Sequence, residues 1–259
     1  MLAGLRARIR KPHAGTIRHR SDVEQQLAIP VLGELPTLGL ARHADKSLAL
    51  AYIAANRSWF SEAIRRIRTR VVLAGKGKSH RIVMVTSSMS REGSTTLAAN
   101  LAISLAQLER VLLIDAGAHT PALAREFGVS PDALSLWEAL NETVQQVQHH
   151  HVASGVDVIA AGVVLDNAAH TLAFLRDSLQ WEQFVARYDR VVVDAGSVDA
   201  QIGALAWSGV ADAVVCVVST RVTKTDHVRA ALQALEQAGA HVIGVVLNDA
   251  TNPNGAPSV

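Results

Sequence analysis

The chain has 259 residues, 49% of them hydrophobic and 19% charged, with a net charge of +2. This is enough to bury a sizeable core, as one large domain or one domain with an appendage. A single cysteine, Cys216 in the apolar run ADAVVCVVS, excludes a disulfide framework within the chain and reads as a buried core thiol in a reducing cytoplasm. No uninterrupted apolar run approaches the roughly 20 residues of a membrane-spanning helix, and MLAGLRARIRKPH lacks the apolar centre of a signal peptide.

In chain order, residues 1–20 carry Arg6, Arg8, Arg10, Lys11, Arg18 and Arg20 and no acidic residue. A solvated tail fits this. So does a segment lying against an anionic membrane face, where each basic side chain contributes about 1 kcal/mol. Nucleic acid fits worst, because no aromatic residue is interleaved with the charges. Residues 1–48 read as a tail and linker. In VEQQLAIPVLGELPTLG a short amphipathic stretch is followed by two prolines and two glycines, which break regular structure. Residues 49–79 hold a helix from about 58 to 74, with Ala63, Ile67 and Val71 recurring four apart as one apolar stripe. Gly75 and Gly77 end it. Glu62 and Arg66 form an ordinary i, i+4 pair on that helix, contributing about 0.2–0.5 kcal/mol.

From 80 to 249 strands alternate with helices. RIVMVTS (81–87), RVLLID (110–115), VDVIAAG (156–162), DRVVVDAG (189–196), DAVVCVVS (212–219) and HVIGVVLND (241–249) are predicted strands. TTLAANLAISLAQL, PALAREF, PDALSLWEAL, the run 169–188 and the run 223–239 are predicted helices, with Thr225 as a candidate cap for the last. Continuously apolar strands alternating with helices imply a mainly parallel sheet covered on both faces, in a three-layer α/β domain. Ligands bind such sheets at the strand carboxyl ends, where TSSMSREGSTT, DAGAHTP and DAGSVDA fall. His149, His150 and His151 read as a polar loop rather than a metal site, since adjacent side chains rarely converge on one ion. Residues 250–259 read as a flexible C-terminal tail.

SSMSREGSTT (87–96) has the outline of a phosphate-gripping loop. Such loops aim backbone N–H groups and a helix N-terminus at the anion. Ser90, Arg91, Gly93, Ser94, Thr95 and Thr96 are the candidate nucleotide-binding residues. Gly93 permits a tight approach, and Thr95 can present a hydroxyl to magnesium. The pattern calls for lysine directly after the second glycine, and Ser94 stands there. Losing one charge-assisted contact costs about 1.5–3 kcal/mol, roughly ten- to a hundredfold in affinity. Arg91 occupies a place that suits glycine; it either supplies a replacement charge or blocks the cradle. Asp115 and Asp194 end buried strands, where carboxylates suit magnesium or its bound water.

The order of these motifs resembles the bacterial tyrosine kinase family, the cytoplasmic part of polysaccharide co-polymerases controlling capsule and exopolysaccharide export. The resemblance covers nearly the whole chain. LAIPVLGELP looks like the segment after the second membrane helix of those proteins, which makes residues 1–48 juxtamembrane-like. EAIRRIR is similar to the family's Glu-x-x-Arg-x-x-Arg oligomerisation motif at Glu62, Arg65 and Arg68. TSSMSREGSTTLAANLAISLAQLERVLLIDAGAHTP resembles its first two nucleotide motifs, YDRVVVDAGSV the third and GVVLND the final strand.

The resemblance implies a P-loop NTPase-like fold, ATP or ADP with magnesium at Thr95, Asp115 and Asp194, a homo-oligomer, and a membrane-embedded co-polymerase or export partner. The place implied is the cytoplasmic face of a bacterial inner membrane. The chain departs from the family at the loop lysine (Ser94), the second carboxylate of Asp-x-Asp (Gly117), the following arginine (His119) and the proline after the third motif (Gly196). It also lacks a tyrosine-rich tail; its two tyrosines are Tyr52 and Tyr188. Phosphoryl transfer depends on positioning and charge neutralisation, so these losses remove most of that apparatus. A degenerate, pseudokinase-like module with weak nucleotide binding is expected. The alternatives are an active tyrosine autokinase using Arg91 or a partner's lysine, with Asp115 and Asp194 as its catalytic carboxylates, and a partitioning ATPase of the same superfamily.

Overall fold

The computed structural model describes residues 15–38, 48–54, 57–75, 80–117, 122–141, 149–161, 178–199 and 202–250. The expected tail 250–259 therefore lies outside the described residues except for Ala250, as do residues 1–14, His119 and the first part of the predicted helix 169–188.

Helix α1 (Arg20–Leu27) opens after Asp22 accepts the N–H groups of Arg18 and His19 at 2.9 and 3.0 Å. Strand β1 (Val31–Pro36) follows. The sequence reading gave this stretch no regular element, and the structure corrects it. Gly33 is not a breaker here: a Cβ at that position would fall 2.3 Å from Ile67 Cγ1, so glycine is what lets the next long helix close on the strand. Pro36 is tolerated because β1 is an edge strand and Pro36 its last residue. A 3₁₀ turn (Leu48–Leu50) and α2 (Ala51–Ala54) lead to α3 (Trp59–Ala74). Ser58 caps α3 by accepting the Ser61 N–H at 3.2 Å, and Ala63, Ile67 and Val71 are buried along it as the periodicity predicts.

The alternating region supplies β2 (Ile82–Ser87), α4 (Ser94–Ala106), β3 (Val111–Asp115), α5 (Ala122–Glu126), α6 (Leu136–Asn141), β4 (His150–His151), β5 (Val156–Ala160), α7 (Leu179–Val185), β6 (Arg190–Ser197), α8 (Ile202–Ser208), β7 (Ala213–Ser219), α9 (Thr225–Gln237) and β8 (Val242–Ala250). The eight strands form one sheet in the order β1-β8-β7-β2-β6-β3-β5-β4. Every pair is parallel except β4–β5.

Side chains of one strand alternate between two cores. Val83 and Val85 of β2 join Ile64 and Ile67 of α3 and Leu97 and Leu101 of α4 on one face. Ile82 and Met84 join Trp181, Phe184 and Trp207 on the other. A third cluster places Ile17 and Val23 with Cys216 and Val218 of β7 and Val228 of α9. Helices on both faces make three layers, and the parallel strands bring their carboxyl ends to one edge, where the candidate motifs meet.

Candidate functional site

Strand β2 delivers the loop 88–93 and α4 carries it away. Two residues in the loop are left-handed, Arg91 at φ 67° and Gly93 at φ 96°. Gly93 is the N-cap of α4, and a Cβ there would fall 2.5 Å from Asn248 Nδ2. The first N–H groups of α4 have no helical partner, as in any helix, and form a cradle for an anion. Ser94 is buried, Thr95 and Thr96 are half-buried, and Ser90 and Arg91 are exposed.

Glu92 holds the loop in shape. Its carboxylate is 3% exposed and accepts the Ser88 hydroxyl at 2.7 Å, the Met89 N–H at 2.8 Å, the Ser219 N–H at 3.3 Å and the Thr223 hydroxyl. The Asn248 side-chain amide donates to the Glu92 carbonyl at 3.0 Å. The Ser90 and Ser197 hydroxyls lie 3.1 Å apart. The loop is thus fastened to the ends of β6, β7 and β8. Sequence reasoning missed Glu92, Thr223 and Asn248. A carboxylate inside an anion-binding loop was the available signal for Glu92, since it needs internal donors to be tolerated there.

Asp115 and Asp194 are neighbours across β3 and β6. Asp194 accepts a hydrogen bond from Thr95 and the Gly196 N–H at 3.4 Å. Burial, with Asp115 adding to it, pushes its pKa up to about 6. Asp115 is also raised by burial, but it accepts the N–H groups of Gly117 at 3.3 Å and of Leu123 and Ala124 at 3.0 Å, which brings α5 onto its carboxylate. Among the described residues, no lysine or arginine pairs with either carboxylate. Two buried acids beside a hydroxyl, with no balancing cation side chain among the described residues, are a donor set that would suit a magnesium ion at Thr95, Asp115 and Asp194. Gly196 sits at φ 69°, a value proline cannot adopt, which accounts physically for that departure in the third motif.

The structure brings Ser90, Arg91, Gly93, Ser94, Thr95, Thr96, Asp115 and Asp194 to one end of the sheet. Glu62, Arg65 and Arg68 lie apart, on α3. Glu62 pairs with Arg65 and Arg66, each at 3.3 Å, and the Arg65 guanidinium lies 5.6 Å from the centre of the Tyr52 ring. Arg68 donates to the Ser104 carbonyl at 2.7 Å, joining α3 to the last turn of the helix that begins at the loop. Of the other residues singled out, Lys224 rather than Thr225 is the N-cap of α9, and the Thr225 hydroxyl donates to the Gly15 carbonyl at 2.8 Å. His149, His150 and His151 bond separately to Phe127, Asp157 and Ser154, the last two histidines within the short strand β4 rather than a loop.

Residues 83–256 match the model of the CobQ/CobB/MinD/ParA nucleotide binding domain. The tyrosine-protein kinase YwqD of Bacillus subtilis is 30% identical over 198 residues, covering 74% of this chain and 82% of that protein. The putative tyrosine-protein kinase EpsB of Ralstonia solanacearum is 29% identical over 98% of this chain, which spans 35% of that longer protein. The kinase domain of the Escherichia coli tyrosine kinase ETK superposes with a TM-score of 0.76 at 26% identity, over 88% of this chain and 93% of that one. A phosphate loop at the end of β2, two acids ending β3 and β6, and these likenesses lead to one assignment: the chain belongs to the CobQ/CobB/MinD/ParA nucleotide-binding family and, within it, to the bacterial tyrosine kinases.

Proposed function

We propose that this chain is a degenerate kinase-like module of an exopolysaccharide or capsule assembly system. It works at the cytoplasmic face of the inner membrane through self-association and contact with a membrane-embedded co-polymerase or export component. Residues 1–20 add attraction to anionic lipid. The observation that carries the reading is the loop itself. Its backbone is shaped for phosphate by Gly93 and clamped by Glu92, yet residue 94 offers a neutral hydroxyl where the pattern calls for a cation.

When bound, a magnesium nucleotide would supply a transferable phosphoryl group and the charge to neutralise it. Thr95 and Asp194 would hold the metal, and the first turn of α4 would receive the phosphates. Without a lysine, phosphate charge is met by N–H dipoles and Arg91 alone, so binding weakens to the micromolar–millimolar range, from about 1.5–3 kcal/mol per lost charged contact. Neither tyrosine suits autophosphorylation: Tyr52 is 1% exposed, and Tyr188 is 7% exposed, donates to Asp157 at 2.9 Å and has its pKa pushed up by burial.

Calorimetric titration with magnesium ADP and ATP tests the reading. Weak binding by the parent and about tenfold or tighter binding by Ser94→Lys support it. Tight parental binding would mean that Arg91, or a lysine such as Lys224, has taken over the charge, and phosphotyrosine on intact mass after incubation with magnesium ATP would assign the chain to the active autokinases.

A further inference from the structure

The start of the described chain is fastened to the turn between β7 and α9. Thr16 bridges Lys224 in antiparallel fashion. The Ile17 N–H donates to the Thr223 carbonyl at 2.9 Å, and the Arg221 N–H to the Ile17 carbonyl at 2.7 Å. The Gly15 carbonyl accepts both the N–H and the hydroxyl of Thr225, at 3.0 and 2.8 Å. Ile17 is fully buried beneath this pairing. The turn is preformed, because the Thr223 N–H bonds to Ser219 and its hydroxyl to Glu92.

What this arrangement leaves outside is basic. In an antiparallel pair, Thr16 and Lys224 share the face opposite buried Ile17. Arg18, Arg221 and Lys224 are exposed, and Val222 between them is 76% exposed. Among the described residues none of the three cations pairs with an acid. Asp226, the nearest acid along the turn, is taken by Arg229 at 2.5 Å. Residues 1–14, with Arg6, Arg8, Arg10 and Lys11, join the fold at this same place, where Gly15 meets Thr225.

We propose that Arg18, Arg221, Val222 and Lys224 form a docking surface for an anionic bilayer. The three cations meet lipid phosphates and Val222 enters the headgroup layer. Three unpaired cations around an exposed aliphatic side chain match the mixed charge and apolarity of that interface. The surface specifies how the proposed membrane location is achieved. It lies on the fold itself, so it is separable from attraction by residues 1–14, and it does not depend on nucleotide binding.

The test is sedimentation of the full chain with vesicles of phosphatidylcholine, with and without phosphatidylglycerol. The parent binds the anionic vesicles, and binding falls with added salt. Arg221→Gln/Lys224→Gln weakens it by about fivefold per charge removed, and Arg221→Glu/Lys224→Glu by more, both with melting temperatures close to the parent's. A full-length variant with glutamine at Arg6, Arg8, Arg10 and Lys11 keeps measurable binding that the turn substitutions then abolish. Turn variants that bind like the parent, or loss of all binding in the variant with the neutralised start, would overturn the proposal in favour of a docking element in the first residues alone. A parent that ignores phosphatidylglycerol would overturn it outright. Nucleotide titration is a separate measurement, so neither result is confused with failure of the kinase-like reading.

Discussion

Asp194 is 2% exposed at the end of β6, and its pKa of about 6 lies above that of a carboxylate in an unfolded chain, about 3.9. Between those values the folded protein holds a proton that the unfolded chain has lost. The associated stability is therefore fully present below about pH 4 and is lost as the pH rises through 6. In the absence of a cation, the ionised, buried carboxylate costs about 3 kcal/mol at pH 8. Asp194→Asn should therefore raise the melting temperature at pH 8 and give no such gain at pH 4. Magnesium should stabilise the parent at pH 8 and leave the variant unmoved, in scanning calorimetry without nucleotide. Glu92 presents the opposite case, a buried acid with four donors. Glu92→Ala strands those donors and should cost about 3 kcal/mol or more in chemical denaturation.

At the scale of elements, a contact from the Glu-x-x-Arg-x-x-Arg motif on α3 reaches the carboxyl end of α4, the helix that begins at the loop. Arg68 reaches the Ser104 carbonyl near the carboxyl end of α4, where the helix dipole favours a cation. Arg68→Ala should destabilise the fold by about 1.5–3 kcal/mol, read from urea midpoints, with Arg68→Lys recovering part of the loss. This contact gives Arg68 an intramolecular duty beside any duty between subunits. Gly33 sets the approach of β1 to the same helix. Gly33→Ala drives a methyl into Ile67 and should cost about 1–3 kcal/mol by overpacking.

For the whole molecule, the proposed self-association through α3 is best probed at Glu62 and Arg65, because Arg68 is already committed within the chain. The side chains of Glu62 and Arg65 are 49% and 33% exposed, and a bidentate partner on another subunit can displace their local pairing. Glu62→Arg/Arg65→Glu should lower the oligomer mass by light scattering while the melting temperature stays close to the parent's. An unchanged mass with an oligomeric parent would leave the pair as surface charge.

The alternation of apolar strands with helices, the stripe Ala63-Ile67-Val71 and the strand-end acids were legible in the sequence, because each is a local pattern enforced by side-chain periodicity or by a short motif. Parallel pairing of β3 with β6, which the sequence did not specify, then brought Asp115 and Asp194 side by side. Strand β1 was not legible. Its glycine and proline read as breakers until the approach of Ile67 explained Gly33 and the edge position explained Pro36. The carboxylate of Glu92 inside the loop hinted at internal donors, but which residues supply them was out of reach, because they include residues as distant as Ser219 and Thr223, which no spacing within SREGST announces. Nor could the sequence show that the basic start meets the 221–225 turn, since that pairing joins residues more than two hundred positions apart. Local periodicity settled what the alternating strands and the long helices form. The long-range fit of polar groups and close backbone approaches, which only the folded chain supplies, decided which residues hold the phosphate loop and which cations were left outside.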